Sequence, residues 1–219
     1  MVKTMATVKK EKRAWLITVL SPLARLCFRV FLGQKVKGAE NIPAEGAFII
    51  ASNHVTALDP LYIGARTKRS LRYMAKDSLF KNKLIGKFLS WVGAFPVVRG
   101  SGGMEALDNA EKFLLEEKKG VCVFIEGTRS KDGQLLRPKM GVAYLAAKTH
   151  LPVIPVAIVG KNGNVPAMWG EMRVNIGKPI AFEELGFDGD SGMHYRRASR
   201  VVMERISSLR DDALLDMVK

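Results

Sequence analysis

Two polar strand ends carry the residues with chemistry to offer. His54 follows the apolar run AFIIASN (47–53), and Asp59 stands five residues later, directly before Pro60. On one continuous helix, five residues turn a side chain about 140° away from its starting face, so the pair could not meet there. Pro60 also pushes Asp59 out of helical backbone. The two residues must therefore straddle a strand-to-helix loop, which in open α/β sheets is the edge where ligands bind. A carboxylate bonded to one ring nitrogen fixes the tautomer and leaves the other to take a proton from a hydroxyl. The alternative is a structural histidine capping a turn beside an N-cap aspartate.

The second strand end is GVCVFIEGTRS (120–130). Glu126, Gly127, Thr128 and Arg129 leave it together, offering backbone donors, a hydroxyl and a guanidinium to an anionic group. Arg99 closes a third apolar run, AFPVV (94–98). Taken singly, each arginine reads equally well as half of a surface ion pair. Together the three ends describe a crevice.

The elements needed to position these ends follow from the pattern. Short apolar runs predict strands at 47–53, 71–76, 94–98, 152–160 and 172–180, and one within 120–130 that runs straight into a Gly-containing turn. Helices are expected over 60–67, 82–91, 104–119, 141–149 and 193–217, with Asp59 as N-cap and Pro60 in the first turn. Strands alternating with helices predict an α/β fold: a layered mixed, largely parallel sheet flanked by helices.

The charge is uneven. Of 35 Lys+Arg against 21 Asp+Glu, a net of +14, residues 1–37 hold nine bases and one acid. Ala14 to Leu32 reads AWLITVLSPLARLCFRVFL, in which Thr18, Pro22, Arg25 and Arg29 form one thin stripe on an otherwise apolar cylinder. Two arginines make full spanning costly, and Pro22 divides the segment. The pattern predicts an N-terminal amphipathic helical membrane anchor lying in the lipid interface, with residues 1–37 as anchor and 38–219 as catalytic domain. A core helix with solvated charges is the alternative. Nucleic acid is the weaker partner, since the bases are not interleaved with stackable aromatics and no recognition motif is present. Cys27 and Cys122 lack metal or redox spacing and read as buried thiols of a reducing compartment.

Read in order, these segments resemble the glycerolipid acyltransferases of the lysophosphatidate acyltransferase group. NHVTALD (53–59) matches their NHx4D motif, and GAFPVVR (93–99) resembles the second block, with Lys76 matching the lysine upstream of it. FIEGTRS (124–130) resembles the third block, RPKMG (137–141) the segment after it, and VIPVAI (153–158) the fourth. The resemblance covers about residues 47–158. It implies transfer of a fatty acyl group from acyl-CoA or acyl carrier protein to the free sn-2 hydroxyl of 1-acyl-glycerol 3-phosphate (lysophosphatidate), giving phosphatidate.

His54 would then be the general base and Asp59 its partner. Arg99, Glu126, Gly127, Thr128 and Arg129 would bind the acceptor, with Lys76 and Lys139 as further phosphate contacts. No cofactor beyond the thioester co-substrate and no metal is implied. The expected partner is an anionic phospholipid membrane, and the expected location its cytoplasmic face, peripheral or monotopic. Three alternatives remain at this level: another acceptor, such as glycerol 3-phosphate, a lyso-ornithine lipid or another lysophospholipid; a non-catalytic basic membrane- or nucleic-acid-binding module; and a metallohydrolase using His54, Asp59 and Glu126 as ligands.

Overall fold

The computed structural model describes residues 22–23, 26–31, 33–67, 69–97, 103–167, 169–189 and 191–218. Seven strands form one sheet: β1 (Gln34–Lys37), β2 (Phe48–Ser52), β3 (Leu71–Lys76), β4 (Ala94–Val97), β5 (Gly120–Phe124), β6 (Val153–Gly160) and β7 (Met172–Ile176). Their order is β1-β7-β6-β2-β5-β3-β4. All neighbours pair in parallel except β6 and β7. The helices packed on the sheet are α1 (Asp59–Gly64), α2 (Lys83–Val92), α3 (Gly103–Leu115), α4 (Gly141–Thr149) and α5 (Gly192–Val218). The α/β fold with a mostly parallel sheet flanked by helices is the one read from the sequence.

The centre of the sheet explains why its strands are so apolar. Every residue of β2 and β6 is buried, because helices cover both faces of a parallel sheet and leave no strand face for water. One face packs Ile49, Ala51, Val121 and Val123 under α3, α4 and α5. The other packs Phe48, Ile50, Cys122 and Ile154 with Tyr62 and Ile63 of α1, Phe28, and Leu89 of α2. Gly120 permits this density: a Cβ there would lie 2.6 Å from the side chains of both Phe48 and Leu71.

The edges depart from the sequence reading. β1 (QKVK) falls inside the residues assigned to the N-terminal anchor, so the sheet begins before residue 38. Two exposed lysines in four residues hide a strand from any apolar pattern, yet on an edge strand they guard against unwanted pairing. At the other edge β4 carries Pro96, which an edge position tolerates. The run at 172–180 is strand only to Ile176; Ile180 forms an isolated bridge to Val153. Most of Ala14 to Leu32 lies outside the described residues, of which 22–23 and 26–31 are helical. No helix among the described residues is long and apolar enough to cross a membrane.

Candidate active site

β2 and β5 lie side by side in parallel, with Ser52 paired to Phe124. Their carboxyl ends therefore open on one edge, and His54 and Glu126 each follow two residues beyond it. β5 also pairs with β3, and β3 with β4 through Lys76 and Val97. Lys76, exposed at the end of β3, thus joins the same rim. Arg99 lies outside the described residues; β4, which leads to it, points to this edge.

The His54–Asp59 contact forms. His54 Nδ1 lies 2.7 Å from Asp59 Oδ2. The same oxygen accepts from the backbone N–H groups of Val55 and Thr56, at 2.7 and 2.9 Å. Thr56 Oγ1 donates to Oδ1 at 2.6 Å. Asp59 is fully buried, and the His54 side chain keeps 18% of its surface in solvent. A carboxylate without water needs such donors. The N-cap assignment changes: Leu58 is the N-cap of α1, and Asp59 is the first helical residue. Its side chain turns back to clamp the loop in place of capping the helix.

The imidazole is fixed from two further sides. Its ring stacks on Phe124, with centroids 3.9 Å apart and planes 14° from parallel. The carbonyl of His54 accepts from Ser130 N–H at 2.7 Å, tying the loop after β5 to the histidine. Upstream, Asn53 is buried and grips β6: its amide donates to Ile158 O at 2.9 Å, and its oxygen accepts from Ile158 N–H at 2.8 Å. Nε2 is the ring nitrogen left for a ligand. Thr56, Phe124 and Asn53 are not among the residues singled out from the sequence. Thr56, set between His54 and Asp59, was findable as a loop hydroxyl. Phe124 was not, because its partner is set by strand register.

The turn after β5 is built for close approach. Gly127 takes a left-handed φ of 68°, and its N–H donates to Phe124 O at 2.9 Å. A Cβ at that glycine would meet Lys139 Cγ at 3.3 Å. Lys139 is exposed, with its N–H held by Ile125 O at 2.7 Å, so this lysine joins the turn. Gly127, Thr128 and Arg129 face solvent. Among the described residues Arg129 makes no ion pair, which leaves its guanidinium available to an anion.

Glu126 differs from these neighbours. It is 1% exposed, and neither carboxylate oxygen makes a hydrogen bond among the described residues. Burial pushes its carboxyl up from 4.5 to about 7; the Asp59 charge adds to this, while the nearby amides of Leu136 and His54 oppose it. A carboxyl whose folded value is raised contributes stability that is complete below its unfolded value and lost as pH rises through the folded one. Wild-type stability should therefore carry a component of about 3 kcal/mol that disappears between about pH 4.5 and 7. In Glu126→Gln that component should be absent, so thermal melts of the two proteins diverge progressively across this range; parallel curves would contradict the assignment.

His54, held by the buried Asp59 at the carboxyl edge of an α/β sheet and set beside a cationic turn, stands where a general base would stand. The chain belongs to the acyltransferase family, whose model, described as "Acyltransferase", matches residues 33–159. It is similar to a 1-acyl-sn-glycerol-3-phosphate acyltransferase of Bacillus subtilis, with 36% identity over 68% of this chain and 74% of the relative. A Saccharomyces cerevisiae protein of the same description is 33% identical over 72% of this chain and 54% of its own. A chloroplastic one of Brassica napus is 33% identical over 68% and 46%. Among solved structures, the crystal structure of the 1-acyl-sn-glycerophosphate acyltransferase PlsC from Thermotoga maritima superposes with a TM-score of 0.69. It is 25% identical and covers 92% of this chain and 82% of its own.

Proposed function

We propose that this enzyme transfers a fatty acyl group from an acyl thioester to the free sn-2 hydroxyl of 1-acyl-glycerol 3-phosphate, giving phosphatidate. The single observation that carries the reading is the 2.7 Å His54–Asp59 contact on the sheet edge that also holds the Glu126–Arg129 turn. The names of the relatives supply the acceptor.

In this mechanism His54 Nε2 takes the proton of the acceptor hydroxyl as its oxygen attacks the thioester carbonyl. Asp59 holds the imidazole by Nδ1 and stabilises the cation that forms. The tetrahedral intermediate collapses by expelling the thiolate, which takes the proton from His54. Transfer is direct. Cys122 is fully buried within β5, and burial, with the Asp59 charge adding, pushes its thiol far up and keeps it protonated, unsuited to carry an acyl group. Arg129, with Arg99, Lys76 and Lys139, neutralises the acceptor phosphate; the planar guanidinium suits its geometry. Glu126 bonds the glycerol hydroxyl or an arginine once substrate fills the crevice, which answers its lack of partners in the free protein. The donor carrier is coenzyme A or acyl carrier protein, each anionic and each drawn to a +14 chain. The basic stretch of sequence ahead of β1 holds the enzyme at the cytoplasmic face of the membrane.

Acylation of lysophosphatidate from radiolabelled acyl-CoA and from acylated carrier protein, with glycerol 3-phosphate and lysophosphatidylcholine as competing acceptors, tests the reading. Failure to label phosphatidate from either donor would refute it. Arg129→Gln should raise KM for lysophosphatidate ~10–100-fold, the worth of a charged hydrogen bond, and leave KM for the donor unchanged. A rise confined to the donor would mean that the two sites are exchanged.

A further inference from the structure

Helix α2 turns large apolar side chains away from the protein. Leu84 is 82% exposed, and Ile85, Phe88 and Leu79 of the preceding 3₁₀ turn (Asp77–Lys81) are exposed as well. The helix is well made: Asn82 accepts from Leu84 and Ile85 N–H at 3.0 and 3.1 Å, and Gly93 ends it at a left-handed φ of 101°. Its inner side is the small one. Gly86 packs on Phe80, where a Cβ would meet the backbone oxygen at 2.9 Å, and Leu89 joins the core. At 100° per residue, Leu84, Phe88 and Ile85 cover one flank of the outer half, and Lys83 and Lys87 the other. Lys81, Lys83 and Lys87 are all exposed, and Asp77 is the one acid from 77 to 92.

We propose that this face docks on an anionic phospholipid bilayer, with Leu79, Leu84, Ile85 and Phe88 entering the acyl boundary and the lysines meeting the headgroups. A bilayer fits both flanks at once: an exposed contiguous apolar patch needs cover, and lysines beside it are attracted by anionic lipid. A second copy of the chain fits only the first, because two-fold pairing of this helix would set its lysines against each other. The position is also suited to the task. α2 follows β3, whose last residue, Lys76, stands on the rim of the crevice, so docking here brings the mouth of the site to the lipid. Helical residues 26–31 lie on the same side of the sheet through Phe28, which meets Tyr62 edge-on at 5.0 Å, and they expose Leu26, Val30 and Phe31. The inference deepens the proposed function by giving its lipid acceptor a surface of entry.

The test compares full-length wild type, Leu84→Ser/Phe88→Ser and Lys83→Gln/Lys87→Gln by sedimentation with vesicles. One set is phosphatidylcholine, the other phosphatidylcholine with phosphatidylglycerol at about three to one. Both variants alter exposed side chains, and unchanged melting temperatures establish that they fold. Removing the two apolar anchors should lower partition ~10-fold or more on both vesicles. Removing the lysines should lower it ~5-fold per charge, and only where phosphatidylglycerol is present. Transfer to a short-chain, water-soluble lysophosphatidate should stay at the wild-type rate in Leu84→Ser/Phe88→Ser, while transfer to vesicle-embedded acceptor falls. Wild-type partition by the apolar variant would overturn the proposal, as would its conversion of a wild-type dimer to monomer on sizing. Partition is read without turnover, so loss of the lysophosphatidate reading would leave the docking result standing.

Discussion

His54→Ala should lower kcat for lysophosphatidate acylation by ~10²–10⁴-fold, the usual worth of a general base, with KM for both substrates close to wild type. The imidazole is partly exposed and its neighbours hold one another: Asp59 keeps its bonds to Val55, Thr56 and the Thr56 hydroxyl, and Ser130 bonds the backbone of residue 54. The variant should therefore fold, and the loss should lie in the chemical step. A variant that retains near wild-type kcat would end the mechanism and move the base elsewhere on the rim, where Glu126 has both carboxylate oxygens unpartnered.

Asp59 should show two separable effects. Asp59→Ala strips acceptors from two backbone N–H groups, the Thr56 hydroxyl and the imidazole at once. With unsatisfied buried donors at ~1–3 kcal/mol each, the loss should reach several kcal/mol, seen as a large fall in melting temperature. Asp59→Asn can keep the loop: its amide oxygen can accept where Oδ2 does, and its NH2 can donate to Thr56 Oγ1. What it lacks is the charge that stabilises the imidazolium. Its melting temperature should stay closer to wild type while kcat falls ~10²-fold or more. If Asp59→Asn turned over at the wild-type rate, the carboxylate would be a loop clamp alone, and the proton chemistry would have to be sought elsewhere on the rim.

These effects trace back to how differently the two halves of the site could be read. The His54–Asp59 contact was legible because it is local: the apolar run ends at His54, a helix cannot include the residue before Pro60, and the two side chains must meet across what is left. Even so, the further reading of Asp59 as the N-cap of α1 fails, since Leu58 takes that place. Helix-capping statistics favoured α1, but the loop amides of Val55 and Thr56 lie on the same side as the imidazole, and one buried carboxylate serves all of them. The turn at Glu126–Arg129 was legible as residue types. That Glu126 would be buried without a partner while Gly127, Thr128 and Arg129 stay in solvent was not, since the chain leaves β5 at Phe124 and packing alone assigns each turn residue its surroundings. β1 was invisible for the converse reason: QKVK has no apolar run, and it is a strand only because β7 offers it an edge.

The sequence by itself determined the α/β class, the buried central strands and the identity of the polar residues at their ends, because apolar runs, proline and glycine act over a few residues. Tertiary structure decided which strands are neighbours. Only the β2–β5 pairing sets Phe124 beneath the imidazole, ties Ser130 to the His54 carbonyl and turns two distant segments toward one crevice. Strand order is settled by contacts between residues some seventy positions apart, and no local propensity encodes a pairing whose free energy arises only when both faces of the sheet are covered.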